Sequence, residues 1–68
     1  MYDESLAEYN KALNLDPNDA RPLFNRGNTY LALQKIDLAH QDFDSAIKLM
    51  PNNAKFYHSK GLAYQDTK

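Results

Sequence analysis

Apolar residues return every three or four positions along most of the chain, and two prolines, each followed by asparagine, interrupt the pattern. From Tyr2 to Leu15 the recurrent residues are Tyr2, Leu6, Tyr9, Ala12 and Leu13, which make one face of an α-helix. Ala20–Leu33 sets Leu23, Gly27, Tyr30 and Leu33 on one side. Ile36–Leu49 carries Ile36, Ala39, Phe43, Ala46, Ile47 and Leu49, and Ala54–Tyr64 carries Tyr57, Gly61 and Tyr64. No segment alternates with period two, and β-branched residues are few, so the pattern predicts four helices joined by short loops. Pro17 and Pro51 bias the residues before them away from the helical region. The Asn-Asp and Asn-Asn pairs that follow can accept hydrogen bonds from the free N–H groups of the next helix. With Asp19 as the cap, Pro22 falls in the first turn of its helix, where a missing N–H matters little. The turns at Leu33-Gln34-Lys35 and Asp66-Thr67-Lys68 lack the glycine that commonly ends a helix.

The helices repeat. Shifted by 34 residues, Asp3 falls on Asp37, Ala12 on Ala46, Leu15 on Leu49, Pro17-Asn18 on Pro51-Asn52, Ala20 on Ala54, Gly27 on Gly61 and Tyr30 on Tyr64. Similar residues fill the gaps: Ser5/Ala39, Tyr9/Phe43, Leu13/Ile47, Arg21/Lys55 and Arg26/Lys60. A self-match that selects glycine, proline and small residues together marks a helical repeat. Gly27 and Gly61 each cost a helix interior about 1 kcal/mol against alanine. Close approach of a neighbouring helix is the expected compensation, with Ser5, Ala39, Ala12 and Ala46 as the facing small residues. Tyr9, Phe43, Tyr30 and Tyr64 then fill the space between helix pairs.

Composition narrows the function classes. The chain has 68 residues, no cysteine and a formal charge of −1. Disulfide and thiolate-metal scaffolds are thereby excluded, and no global field favours nucleic acid. The aromatics stand at core spacing, so base stacking is not expected. No apolar run reaches the roughly 20 residues of a membrane span. Lack of cysteine and an acidic, mixed N-terminus lead us to expect an intracellular, cytoplasmic protein. His40 and His58 lie on different predicted helices without the partner spacing of a helical metal site. No nucleophile–base set or phosphate loop stands out, so neither catalysis nor a cofactor is expected.

These residues resemble the tetratricopeptide repeat family, a helix–turn–helix motif. Its pattern is a large apolar residue, a glycine, a tyrosine, a small residue, an aromatic, an alanine and a proline. The middle of the chain supplies them as Leu23, Gly27, Tyr30, Ala39, Phe43, Ala46 and Pro51; Ser5, Tyr9, Ala12 and Pro17 precede, and Tyr57, Gly61 and Tyr64 follow. Departures are Ser5 for alanine, Arg26 and Lys60 where leucine is common, and the turns without glycine. The resemblance implies an all-α fold, helix–turn–helix repeats stacked as a right-handed α-solenoid of four helices. It divides the chain into a second-helix half repeat (1–19), a full repeat (20–53) and a first-helix half repeat (54–68). It also implies an interaction scaffold whose first-type helices line a concave groove for a peptide or helix of another protein.

The phase of the repeat lets a second copy continue the period after Lys68. Both end helices are therefore expected to bare apolar faces, either within a longer array or through head-to-tail stacking of identical chains. Charge separates by helix type. Arg21, Arg26, Lys55 and Lys60 lie on first-type helices, with Asp66 only near the end; Asp3, Glu4, Glu8, Asp37, Asp42 and Asp44 lie on second-type helices. Helix-dipole placement and pairing between helices explain part of this; a basic groove attracting acidic peptides is the functional alternative. The candidate groove residues are Arg21, Phe24, Asn25, Asn28, Lys55, His58, Ser59 and Leu62. Chaperone-binding members of the family grip a C-terminal carboxylate with lysine, asparagine and arginine. Asn25 and Lys55 stand at two such positions and Asn28 matches by its place in the repeat, whereas Ser59 replaces the arginine and a preceding first-type helix is missing.

Overall fold

The computed structural model describes residues 2–65, and the turn expected at Asp66-Thr67-Lys68 lies outside them. Four helices follow one another: α1 (Tyr2–Leu15), α2 (Ala20–Ala32), α3 (Ile36–Leu49) and α4 (Ala54–Gln65). They form an open, all-α stack measuring 34 × 29 × 15 Å. Each helix packs on the next, and α4 also touches α2, the arrangement of a helical-repeat solenoid.

Local chemistry sets the boundaries. Asp19 is extended and its side chain accepts from the Arg21 backbone N–H at 3.1 Å. One repeat later Asn53 accepts from the Lys55 N–H at 3.0 Å. Both caps satisfy a donor that the first helical turn leaves free. The glycine-free turn after α2 is a Schellman motif. Lys35 N–H donates to the Tyr30 carbonyl at 2.8 Å and Gln34 N–H to that of Leu31 at 3.0 Å. Gln34 takes the left-handed position, with φ of 62°, where a side chain is strained and glycine is not. Gln34→Gly is therefore expected to stabilise the chain by about 0.5–1 kcal/mol, read as a higher urea midpoint; a lower midpoint would contradict the strain argument.

The core is built on Phe43, the one large side chain that is fully buried among the described residues. Its ring lies against Gly27, where an added Cβ would come within 2.6 Å of Cε1 and 2.8 Å of Cδ1. The absent side chain at position 27 is thus what lets α3 approach α2. Phe43 groups with Ala39 and Ala63, while Ala20, Leu23, Ala46 and Phe56 form a second cluster. Phe24 joins the two, its ring centroid 6.1 Å from that of Phe43 and 4.7 Å from that of Phe56.

The expected packed face of α4 is not the buried one. Phe56, Ser59 and Ala63 turn inward, whereas Tyr57 and Tyr64 are 50% and 61% exposed. Gly61 has nothing within 4 Å of where its Cβ would stand. The close approach inferred for both glycines therefore holds for Gly27 alone among the described residues. The reason is the neighbour: α3 covers α2 on the Leu23–Gly27–Tyr30 side, whereas on the corresponding side of α4 it reaches Tyr64 through His40 and leaves Gly61 uncovered. Tyr57 instead donates its hydroxyl to the Pro51 carbonyl at 2.8 Å, fastening the turn to the helix.

Candidate functional site

The opposite charges on the two helix types meet mainly between helices. Arg26 donates Nε to Asp42 Oδ2 at 2.8 Å and Nη2 to Asp42 Oδ1 at 2.7 Å, a two-pronged bond from α2 to α3. Its third nitrogen, Nη1, donates to Asn10 Oδ1 of α1 at 2.7 Å. The hydrogen bond to Asp42 raises the guanidinium's proton affinity against the opposing effect of burial. In the next repeat Lys60 pairs with Asp44 of α3, which holds the ammonium above its ordinary pKa. Two of the four first-type cations are therefore committed to holding helices together.

The other two stand at the N-terminal ends of α2 and α4. Arg21 is exposed and folds back on its own cap, donating Nε to Asp19 Oδ1 at 3.2 Å and Nη2 to Asp19 Oδ2 at 3.0 Å. That bond holds the Asp19 carboxyl below the ordinary aspartate range and raises the Arg21 guanidinium. Lys55 is exposed and makes no ion pair among the described residues. Between them lies a cleft of about 480 Å³ lined by Asp19, Arg21, Phe24, Asn25, Met50, Asn53, Lys55 and Phe56. A second hollow of about 410 Å³ continues from it toward α1, sharing Asp19, Arg21 and Asn25 and adding Glu8, Tyr9, Ala12 and Pro22. The free N–H groups of two helix starts add a positive local field.

Of the eight residues proposed from sequence, the structure gathers Arg21, Phe24, Asn25 and Lys55 around this cleft. Asn28 is half-buried and His58 and Leu62 are exposed; helical spacing sets them one or two turns further along the same helices. Ser59 is the exception. It is 8% exposed, turned into the helix packing where it presents no open surface. Phe24 is half-buried and lines the cleft. Sequence reasoning missed Phe56, Met50, Asn53 and Asp19. Phe56 could have been found from the spacing Phe56, Ser59, Ala63, a second helical stripe beside the tyrosine one. Met50 and Asn53 lie in the turn, where periodicity carries no signal. His40 and His58 do not meet: His40 packs on Tyr64 at 4.4 Å between ring centroids, and no group of potential metal ligands occurs among the described residues.

The family model described as TPR repeat matches residues 1–34 and 27–68, the whole chain. The chain belongs to the tetratricopeptide repeat family. Curated relatives agree. The small glutamine-rich tetratricopeptide repeat-containing protein of Dictyostelium discoideum is 41% identical over 60 residues, 88% of this chain and 18% of that protein. Hsc70-interacting protein 1 of Drosophila melanogaster is 36% identical over 62 residues, 91% of this chain and 16% of that one. The human peptidyl-prolyl cis-trans isomerase FKBP4 is 40% identical over 52 residues, which cover 76% of this chain and 11% of the isomerase. The chain thus spans less than a fifth of the length of these relatives. Tetratricopeptide repeats are generally protein-interaction modules and generally non-catalytic.

Proposed function

We propose that the cleft between the starts of α2 and α4 holds an acidic, extended segment of another protein. The observation that carries this reading is Lys55, an exposed cation with no ion pair among the described residues, which lines one cleft together with Arg21, Phe24 and Phe56. Lys55 would steer and anchor a carboxylate. Asn25 offers both donor and acceptor to a peptide backbone, and Phe24 with Met50 offers apolar contact for a side chain. Arg21 serves most simply by exchange, leaving Asp19 for the incoming acid. Asn28, His58 and Leu62 extend the surface along the helices.

The relative named as an Hsc70-interacting protein makes a chaperone segment a reasonable partner class for this tetratricopeptide repeat too. Burial of Ser59 argues against a complete carboxylate clamp, because the position that carries an arginine in such clamps is closed here. The proposed cleft therefore reads acidic side chains more than a chain terminus. Fluorescence anisotropy with a labelled acidic peptide tests this, using one version with a free C-terminus and one amidated. Lys55→Glu should weaken binding by about tenfold or more, and added salt should weaken the unmodified chain's binding. Equal affinity for both peptide termini is expected. Unchanged capture by Lys55→Glu would discard the basic cleft.

A further inference from the structure

The starts of α2 and α4 are capped alike and charged differently. Asp19 and, one repeat later, Asn53 each accept the backbone N–H two residues on, from Arg21 at 3.1 Å and from Lys55 at 3.0 Å. Asparagine and aspartate cap a helix about equally well, so capping alone does not call for a carboxylate at position 19. That carboxylate has a second engagement. Arg21 Nε donates to Asp19 Oδ1 at 3.2 Å and Nη2 to Asp19 Oδ2 at 3.0 Å, so both oxygens are held in the guanidinium fork. Lys55, beside the neutral Asn53, makes no ion pair among the described residues. Asp19, Arg21 and Lys55 all line the same cleft. A carboxylate in an arginine fork is the group an acidic ligand would bring there.

We infer that Asp19 is a built-in competitor: its carboxylate occupies Arg21 and keeps the cleft's second cation out of use until an acidic segment displaces it. The inference rests on the reading of the cleft as a site for acidic segments and adds a control to it. Lys55 is the standing anchor for one acid, and Arg21 is the anchor for a second. The Arg21 side chain is 83% exposed, so it can turn from Asp19 to a ligand without disturbing the core. The α2 cap survives the exchange, because Asp19 Oδ1 keeps its bond from the Arg21 backbone N–H. An ion pair this exposed withholds at most a few-fold in affinity, which suits a contact that a ligand must be able to open.

Fluorescence anisotropy with a labelled, C-terminally amidated hexaglutamate peptide tests the inference. Asp19→Asn recreates at α2 the cap that Asn53 forms at α4, so helical circular dichroism should be unchanged. Affinity for the peptide should rise about three- to fivefold, the scale that an exposed ion pair can withhold. Losing a negative charge favours the peptide by itself, so the deciding comparison keeps the charge at position 21 and removes the fork. In an Arg21→Lys background the ammonium cannot make the two-pronged bond, and there Asp19→Asn should gain about twofold or less. Equal gains in the two backgrounds would reduce Asp19 to a repelling charge and overturn the inference, as would no gain in either. If Lys55→Glu still weakens binding in those cases, the cleft reading stands without the competitor. If Lys55→Glu changes nothing, or the unmodified chain does not bind the peptide, the cleft reading falls and the inference with it.

Discussion

Phe43→Ala should cost about 3–5 kcal/mol. A chain of this length has a total stability of about 3–10 kcal/mol, at about 0.05–0.15 kcal/mol per residue, so one such loss takes from about a third of it to all of it. The site has little means of closing the hole. Phe43 fills the notch at Gly27, meets the Phe24 ring, and is flanked by Ala39 and Ala63, which have almost no side chain to move inward. Urea titration followed by helical circular dichroism measures the effect. Tyr57→Ala is the control: another aromatic truncation, at a half-exposed position whose hydroxyl donates to the Pro51 carbonyl. It should cost about 1 kcal/mol. A Phe43→Ala chain within 1 kcal/mol of the parent, by the same large-to-small scale, would mean that the helices are not held by this contact.

Asp42→Ala carries the next largest expected loss, about 2–3 kcal/mol. The Asp42 side chain is only 6% exposed and accepts both prongs of Arg26. Its removal strands a guanidinium that is three-quarters covered, leaving it the Asn10 hydrogen bond and the Tyr30 ring face at 5.8 Å. The cost falls below that of a fully buried pair because Arg26 keeps Asn10 and some access to water. Replacing both partners, as in Arg26→Leu with Asp42→Leu, should recover much of the loss, since no lone charge is then buried. A double-mutant cycle followed by urea unfolding reads the coupling directly. Additive single effects would show that the pair is incidental to the α2–α3 interface.

Much of this was legible in the sequence because the repeat is written in residue types with narrow physical uses. The helices end within a residue of where periodicity and proline put them, since Asp19 and Asn53 are obvious caps and Pro17 and Pro51 obvious breaks. Gly27 announced a close approach, and Phe43 makes it. Gly61 carried the same announcement without a described helix to fulfil it. Register alone transfers a face from α2 to α4, but burial depends on which neighbours exist. α4 is also apolar on more than one side, so Phe56, Ser59 and Ala63 competed with Tyr57, Gly61 and Tyr64 on equal terms. Ser59 was misplaced into the groove for that reason. The charge segregation was visible, but its meaning was not: Arg26 and Lys60 differ from Arg21 and Lys55 only in having a carboxylate within reach on α3. That distinction lives in the packing of helices, not in their composition. The glycine-free turn at Gln34 was readable as an anomaly, and its left-handed backbone supplies the cause.

Arg21 and Lys55, at the starts of α2 and α4, line one cleft with Phe24 and Phe56, while Arg26 and Lys60, further along the same helices, are tied to carboxylates of α3.

Backbone amide shifts of the isotope-labelled chain, titrated at low concentration with an acidic peptide, test the cleft most directly. The largest movements should fall on Arg21, Asn25, Asn53, Lys55 and His58, with α1 and α3 little changed outside their ends. Movements centred on the acidic positions Asp37 and Asp44, or none at all at saturating peptide, would contradict a basic cleft as the binding surface.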